Sequence, residues 1–200
     1  MFNIDRNNYF ENPKPHDIFT PGDVIDKIFK YIDRFYNRDF PNILENSFGK
    51  GNILVKLVEK FPNSKIIGYE IREDYYRYVS YLKKVNLTIH NENFLTAEVN
   101  NNFDLILSNP PFSTPERRGA WRDFLDKSFD LLTKNGIMIF ILPSYWKQNT
   151  DTNFKKFVKY FPPVNFLPIF KSTFFNNSLS CDIVIIDKGN KNNFWENIYC

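Results

Sequence analysis

The stretch Phe103-Asp104-Leu105-Ile106-Leu107-Ser108-Asn109-Pro110-Pro111-Phe112 reads as a strand buried on both faces that stops abruptly. Consecutive prolines cannot continue a sheet ladder, so the chain is frozen just beyond the strand. Upstream, short apolar runs alternate with helical periodicity. Ile43-Leu44-Glu45 is a strand that runs into Asn46-Ser47-Phe48-Gly49-Lys50-Gly51, and a helix follows with Ile53, Leu54, Leu57, Val58 and Phe61. A strand from Lys65 to Glu70, a helix from Glu73 to about Val85 and a short strand from Leu87 to His90 lead up to the opening stretch. Further back, Thr20-Pro21 reads as an N-cap with Pro at N1, starting a helix with Val24, Ile25, Ile28, Phe29, Ile32 and Phe35 on one face. Downstream, a helix from Trp121 to Leu132, capped by Gly136, precedes the buried strand Ile137 to Leu142. A helix near Phe154 to Tyr160, a strand from Asn165 to Phe170, a polar turn at Asn176-Asn177 and a strand from Ser180 to Ile186 end the pattern. The expectation is α/β: a seven-stranded, mostly parallel, doubly wound sheet with helices on both faces and a C-terminal antiparallel hairpin.

A chain of 200 residues can bury a substantial core; residues 1–18 read as a polar N-terminal arm and residues 19–200 as a single domain. No segment approaches the roughly 20 consecutive apolar residues of a membrane helix, and the first ten residues lack a signal-peptide pattern. A net charge of +3 permits a nucleic-acid partner without arguing for one. Cys181 and Cys200 have no metal-ligand spacing, and His16 and His90 form no metal-like constellation, so no metal site is expected. Both thiols read as free in a reducing, cytoplasmic compartment. Alanine occurs only at Ala97 and Ala120, while Asn, Lys, Ile, Phe and Tyr abound. Those residues have A/T-rich codons, so an AT-rich bacterial, phage, viral or parasite genome accounts for the aromatic content without invoking base stacking.

Ligands of open α/β sheets bind beyond the carboxyl ends of the strands. Polar and glycine residues gather at four such ends: Glu45 to Gly51, Glu70, Asn93-Phe94, and Asn109 to Phe112. Gly49 and Gly51 permit a tight turn and present helix N-terminal amides, although such a pair alone is as often an ordinary turn. Glu70, about 20 residues further on, suits two ribose hydroxyls, although a lone strand-end acid is more often simply solvated. The proline corner is more specific. It fixes the Asn109 amide and the Pro110 carbonyl, both oxygen acceptors. An exocyclic amine held by both is drawn toward tetrahedral geometry, its lone pair localised for in-line attack on an electrophilic methyl group. Phe112 would stack on a base face, a contact worth roughly 1–3 kcal/mol. The bland alternative is a strand-terminating turn with a packed Phe; four strand ends facing one crevice argue against it.

Asn109-Pro110-Pro111-Phe112 resembles the catalytic tetrapeptide of class I, Rossmann-like, S-adenosyl-L-methionine-dependent amino-methyltransferases, which modify adenine N6, cytosine N4 or glutamine amide nitrogen. Ile43 to Gly51 resembles their first cofactor motif and Glu70 the acidic second. Phe19-Thr20-Pro21 resembles the motif before the first strand, and Asn93-Phe94-Leu95 the adenine-contacting segment, with Asn93 in place of the usual Asp. The likeness covers about residues 19–142. It implies that Thr20 and Gly49 to Gly51 cradle the methionine part of the cofactor, that Glu45 lies near its ammonium group, that Glu70 binds the ribose, and that Asn93 and Phe94 hold the adenine. Phe19, Asn46, Ser47, Ile71 and Asn109 complete the implied cofactor set. The implied activity is N6-adenine methylation of nucleic acid, with DNA favoured over RNA. Protein-glutamine or small-molecule amino methylation, and an inactive fold serving as a binding subunit, are the alternatives. Arg117, Arg118 and Trp121 are candidate substrate contacts beside Phe112, weighed equally against a solvated loop with a core Trp; the same holds for Tyr145-Trp146-Lys147. No separate target-recognition segment is evident, so low specificity or a partner subunit is expected.

Overall fold

The computed structural model describes residues 19–82, 84–100, 102–113, 119–147, 160–161, 163–169 and 180–190. Its strands are β1 (Asn42–Glu45), β2 (Lys65–Tyr69), β3 (Leu87–His90), β4 (Phe103–Ser108), β5 (Leu132–Pro143), β6 (Pro163–Ile169) and β7 (Cys181–Asp187). They form one sheet in the order β3-β2-β1-β4-β5-β7-β6. β1 to β5 pair in parallel, whereas β7 runs antiparallel to both β5 and β6. This is the seven-stranded sheet expected from the sequence, terminal hairpin included.

Period-two alternation sends successive strand residues to opposite faces. Ile43, Ile66, Leu105, Ile139 and Ile183 face one side, where α1 (Gly22–Phe35), α2 (Asn52–Lys60) and α3 (Glu73–Ser80) cover them. Leu44, Ile67, Ile106, Phe140 and Val184 face the other, which α4 (Trp121–Asp130) covers. Of the α1 stripe read from the sequence, Val24, Ile25, Ile28, Phe29 and Ile32 form the buried face of that helix, whereas Phe35, in its last turn, is exposed. Each such side chain contributes roughly 1.5–3 kcal/mol of transfer free energy, which offsets the weak helical propensity of its β-branched members. Among the described residues, no helix is long and apolar enough to cross a membrane.

Several boundaries differ from the sequence reading. α1 begins at Gly22 with Pro21 as its N-cap, and no side chain caps it. Thr20 is therefore not a capping residue; its hydroxyl is used elsewhere. α3 stops at Ser80, well before Val85, which is fully exposed. Gly136 caps no helix. β5 starts at Leu132, and Gly136 lies inside it, where the pairing with β4 jumps from Phe103↔Leu132 to Leu105↔Ile137. A Cβ at this position would sit 2.8 Å from the Phe103 carbonyl, so glycine is needed for close backbone approach. The expected arm at residues 1–18, the polar turn at 176–177 and nearly all of the helix near 154–160 fall outside the described residues.

The strand order reverses between β1 and β4, the topological switch point where open α/β sheets bind ligands. Leu44 is in register with Ile106, so the chain leaves both strands side by side, at Glu45-Asn46 and Ser108-Asn109.

Candidate active site

A cavity of 470 Å³ opens at the switch point, within the ~300–1,000 Å³ range of small-molecule sites. The end of β1 and the turn after it contribute Glu45, Asn46, Ser47 and Gly49. The end of β2 contributes Glu70 and Ile71, and the loop after β3 contributes Asn93 and Phe94. The proline corner, Asn109 to Phe112, lines the same cavity, as do Phe19 and Thr20 ahead of α1. Phe112 is 8% exposed: it lines the cavity while packing into the α1–α3 side of the core. Asn52, Tyr75 and Phe124 also line the cavity; their helical apolar or polar patterns gave no sign of a site role.

A buried polar network ties the proline corner to its neighbours. Asn46 Nδ2 donates to Ser128 Oγ on α4 at 2.8 Å, and Ser108 Oγ donates to Asn46 Oδ1. Ser47 Oγ donates to the Asn109 carbonyl at 3.3 Å. Asn109 Nδ2 donates to Thr20 Oγ1 at 3.1 Å, which fixes the plane of the amide. The Thr20 carbonyl in turn accepts from Asn52 Nδ2 at 3.0 Å. Seven short polar side chains from five parts of the chain thus hold the corner in place.

Glu70 joins two loops. Its Oε2 accepts the Gly49 N–H and its Oε1 the Arg72 N–H, both at 2.8 Å. Glu45 is different. It is 1% exposed, and its Oε2 has no hydrogen-bond partner among the described residues. Burial, reinforced by the neighbouring Glu70 carboxylate, pushes its carboxyl well above the usual range. An orphaned buried acceptor lining a cavity fits a cationic ligand group.

At the far end, Asn93 Oδ1 accepts the Leu95 N–H at 3.0 Å, closing a turn. Its Nδ2 has no hydrogen-bond partner among the described residues. Phe94 stacks on Phe124 at 5.8 Å between centroids, and both line the cavity. Ile71 is 65% exposed at the rim.

Two expected site residues do not meet the cavity. Gly51 is the N-cap of α2 with φ 78, and a Cβ there would lie 2.8 Å from a Val79 methyl. It serves backbone geometry and packing, and it does not line the cavity. Gly51→Ala should therefore lower stability by about 1–3 kcal/mol in a denaturant melt; an unchanged midpoint would show that the turn relaxes freely. Trp121 is 1% exposed in the core beneath α4, so the core reading holds and a substrate contact does not. Trp146 is likewise buried, donating Nε1–H to Asp182 Oδ2 at 2.9 Å, and Lys147 is paired with the same carboxylate. Arg117 and Arg118 fall outside the described residues. Among the described residues, no cluster of His, Cys, Asp and Glu could hold a metal ion.

An S-adenosylmethionine-dependent methyltransferase from Clostridium acetobutylicum shares the fold, with a TM-score of 0.63 at 12% identity over 83% of this chain and 91% of that one. The fold, together with a family match to a methylase over residues 44–162, defines the class: Rossmann-like, S-adenosyl-L-methionine-dependent methyltransferases. Within that class, residues 44–162 match one family along most of the catalytic core, and the chain belongs to the Eco57I restriction-modification methylase family. Modification methylase CviBIII of Paramecium bursaria Chlorella virus NC1A is 33% identical over 144 residues, covering 63% of this chain and 37% of that protein. Type II methyltransferase M.CvrRI of Paramecium bursaria Chlorella virus XZ-6E is 33% identical over 96 residues, 48% of this chain and 24% of that protein. The chain thus spans well under half the length of either relative. The lining suits a cofactor that carries a cation, hydroxyls and an aromatic base: Glu45 presents an orphaned buried oxygen, Glu70 a carboxylate and Phe94 an apolar wall.

Proposed function

We propose that this chain methylates N6 of adenine in nucleic acid, DNA in preference to RNA, and that residues 19–200 form a single methyltransferase domain. The observation that carries the reading is that the Asn109 to Phe112 corner lines the same cavity as Glu45, Glu70 and Phe94. The names of the two viral relatives, a modification methylase and a type II methyltransferase, support a nucleic-acid target and a virus- or phage-encoded protein working inside a host cell.

S-adenosyl-L-methionine, when bound, supplies the electrophilic methyl group. Glu45, Glu70, Asn93 and Phe94 bind and orient it; Asn109 and the Pro110 carbonyl take the two N–H bonds of the target amine. Their out-of-plane pull localises the nitrogen lone pair toward the cofactor. Phe112 holds the base, and a base in a duplex must be flipped out at a cost of a few kcal/mol. Arg117 and Arg118 supply phosphate contacts. Charge removal at both should flatten the salt dependence of nucleic-acid binding by a slope of about 2; an unchanged slope makes that segment a bystander. A partner subunit or further chain supplies target specificity.

The deciding experiment is transfer of labelled methyl groups to matched DNA, RNA and protein pools, followed by nucleoside and amino-acid analysis. N6-methyladenine in the DNA is the expected product. Label confined to cytosine or to glutamine would overturn the assignment.

Glu45 gives this reading a proton signature. A folded-state pKa above the unfolded value means that the empty fold holds a proton the unfolded chain releases. That contribution to stability is complete below the ordinary carboxylate pKa and is lost as pH rises through the raised one. An ammonium group beside Glu45 opposes the shift, so cofactor binding at a pH below the raised pKa should release protons. Calorimetry in buffers of different ionisation enthalpy should show unequal heats for the native protein and equal heats for Glu45→Gln. Equal heats for both would mean that Glu45 is already ionised in the empty site.

A further inference from the structure

Lys127 takes no part in the chemistry above, yet it reaches from α4 to the loop after β3. Its Nζ donates to the carbonyl oxygens of Phe94 at 2.6 Å, Leu95 at 3.3 Å and Ala97 at 2.6 Å. An ammonium has three donors, and all three acceptors here belong to one turn. The same nitrogen lies 4.9 Å from the centroid of the Phe94 ring. Burial holds the Lys127 pKa below the usual lysine value. One helical turn earlier on α4, Phe124 stacks against Phe94. Asn93 closes the turn from within, its carbonyl accepting the N–H groups of Thr96 and Ala97.

We infer that Lys127 is a positioning residue for the cofactor's adenine: by gathering the carbonyls of Phe94, Leu95 and Ala97 onto α4, it holds Asn93 and Phe94 in place at that end of the cavity. The inference rests on the proposed placement of adenine against Phe94. A helix-surface lysine engaged only for stability would leave ligand affinity untouched once the protein is folded. A lysine that sets the shape of the turn would change affinity for the adenosine end and leave the methyl-transfer corner alone.

The test is Lys127→Met, with folding checked by its melting curve and ligand binding measured at equilibrium. S-adenosylhomocysteine and adenosine alone should both bind about tenfold more weakly, by matching factors, as expected when charge-assisted hydrogen bonds behind a binding surface are lost. Turnover at saturating cofactor should stay within about twofold of the native value, so the loss appears in KM and not in kcat. Hydrogen exchange at the Thr96 and Ala97 amides should accelerate. Unchanged affinity for S-adenosylhomocysteine overturns the inference, and so does a loss that adenosine does not reproduce. If Lys127→Met does not fold, Lys127→Gln, too short to span the three carbonyls, carries the same expectations; failure of both to fold assigns Lys127 to the scaffold and overturns the inference. A native protein that binds S-adenosylhomocysteine but not adenosine would instead sink the placement of adenine against Phe94.

Discussion

Asn109→Ala should lower turnover by about 10²–10³-fold, the usual consequence of removing one preorganised polar group from a reacting centre. The fold should survive. The backbone carbonyl of residue 109, which accepts from Ser47, is retained in the variant. The side-chain bond to Thr20 is lost, and a hydroxyl that has lost a donor can rotate to find another partner, at a cost of about 1 kcal/mol. A small drop in melting midpoint with near-complete loss of methyl transfer is therefore the expected pair of results. Native turnover in the folded variant would remove Asn109 from the chemistry and, with it, the amine-methylating reading of the corner.

Glu70→Ala should weaken cofactor affinity by about 10- to 100-fold, because hydrogen bonds to a charged group contribute about 1.5–3 kcal/mol each. Two losses combine. The carboxylate would bind the ribose, and it also secures the turn at Gly49 and the chain at Arg72. Glu70→Gln separates them in part. Its amide keeps one acceptor oxygen but turns an N–H donor toward a backbone N–H, so one of the two loops is released. A calorimetric affinity for S-adenosylhomocysteine that is unchanged in Glu70→Ala would reject the ribose assignment.

β3 and β4 were legible to the residue, and the end of β2 to within one, because each is an apolar run closed by polar or proline residues. The glycine turn, Glu70 and the proline corner carry their chemistry in adjacent residues, and these also stood out. What stayed hidden depends on distance along the chain. Ser128 meets Asn46 across 82 residues, and nothing local marks a serine in an amphipathic helix as the partner of a buried amide. Lys127 looks like one more solvated lysine until the turn after β3 is folded against it. Trp121 could be read as a binding aromatic only because its surroundings were unknown; in the fold it opens α4 with its ring in the core. Gly136 misled for a related reason. Glycine after a helix suggests a cap, but here the helix had already ended and a neighbouring strand needed the space.

Thr20 stands 89 residues before Asn109, yet its hydroxyl is what the amide leans on. The proline corner therefore has one latch ahead of α1 in addition to those at the ends of the sheet strands. A polypeptide shortened to begin at Pro21 would keep every strand and all of α1, but its Asn109 amide would lose the Thr20 hydroxyl.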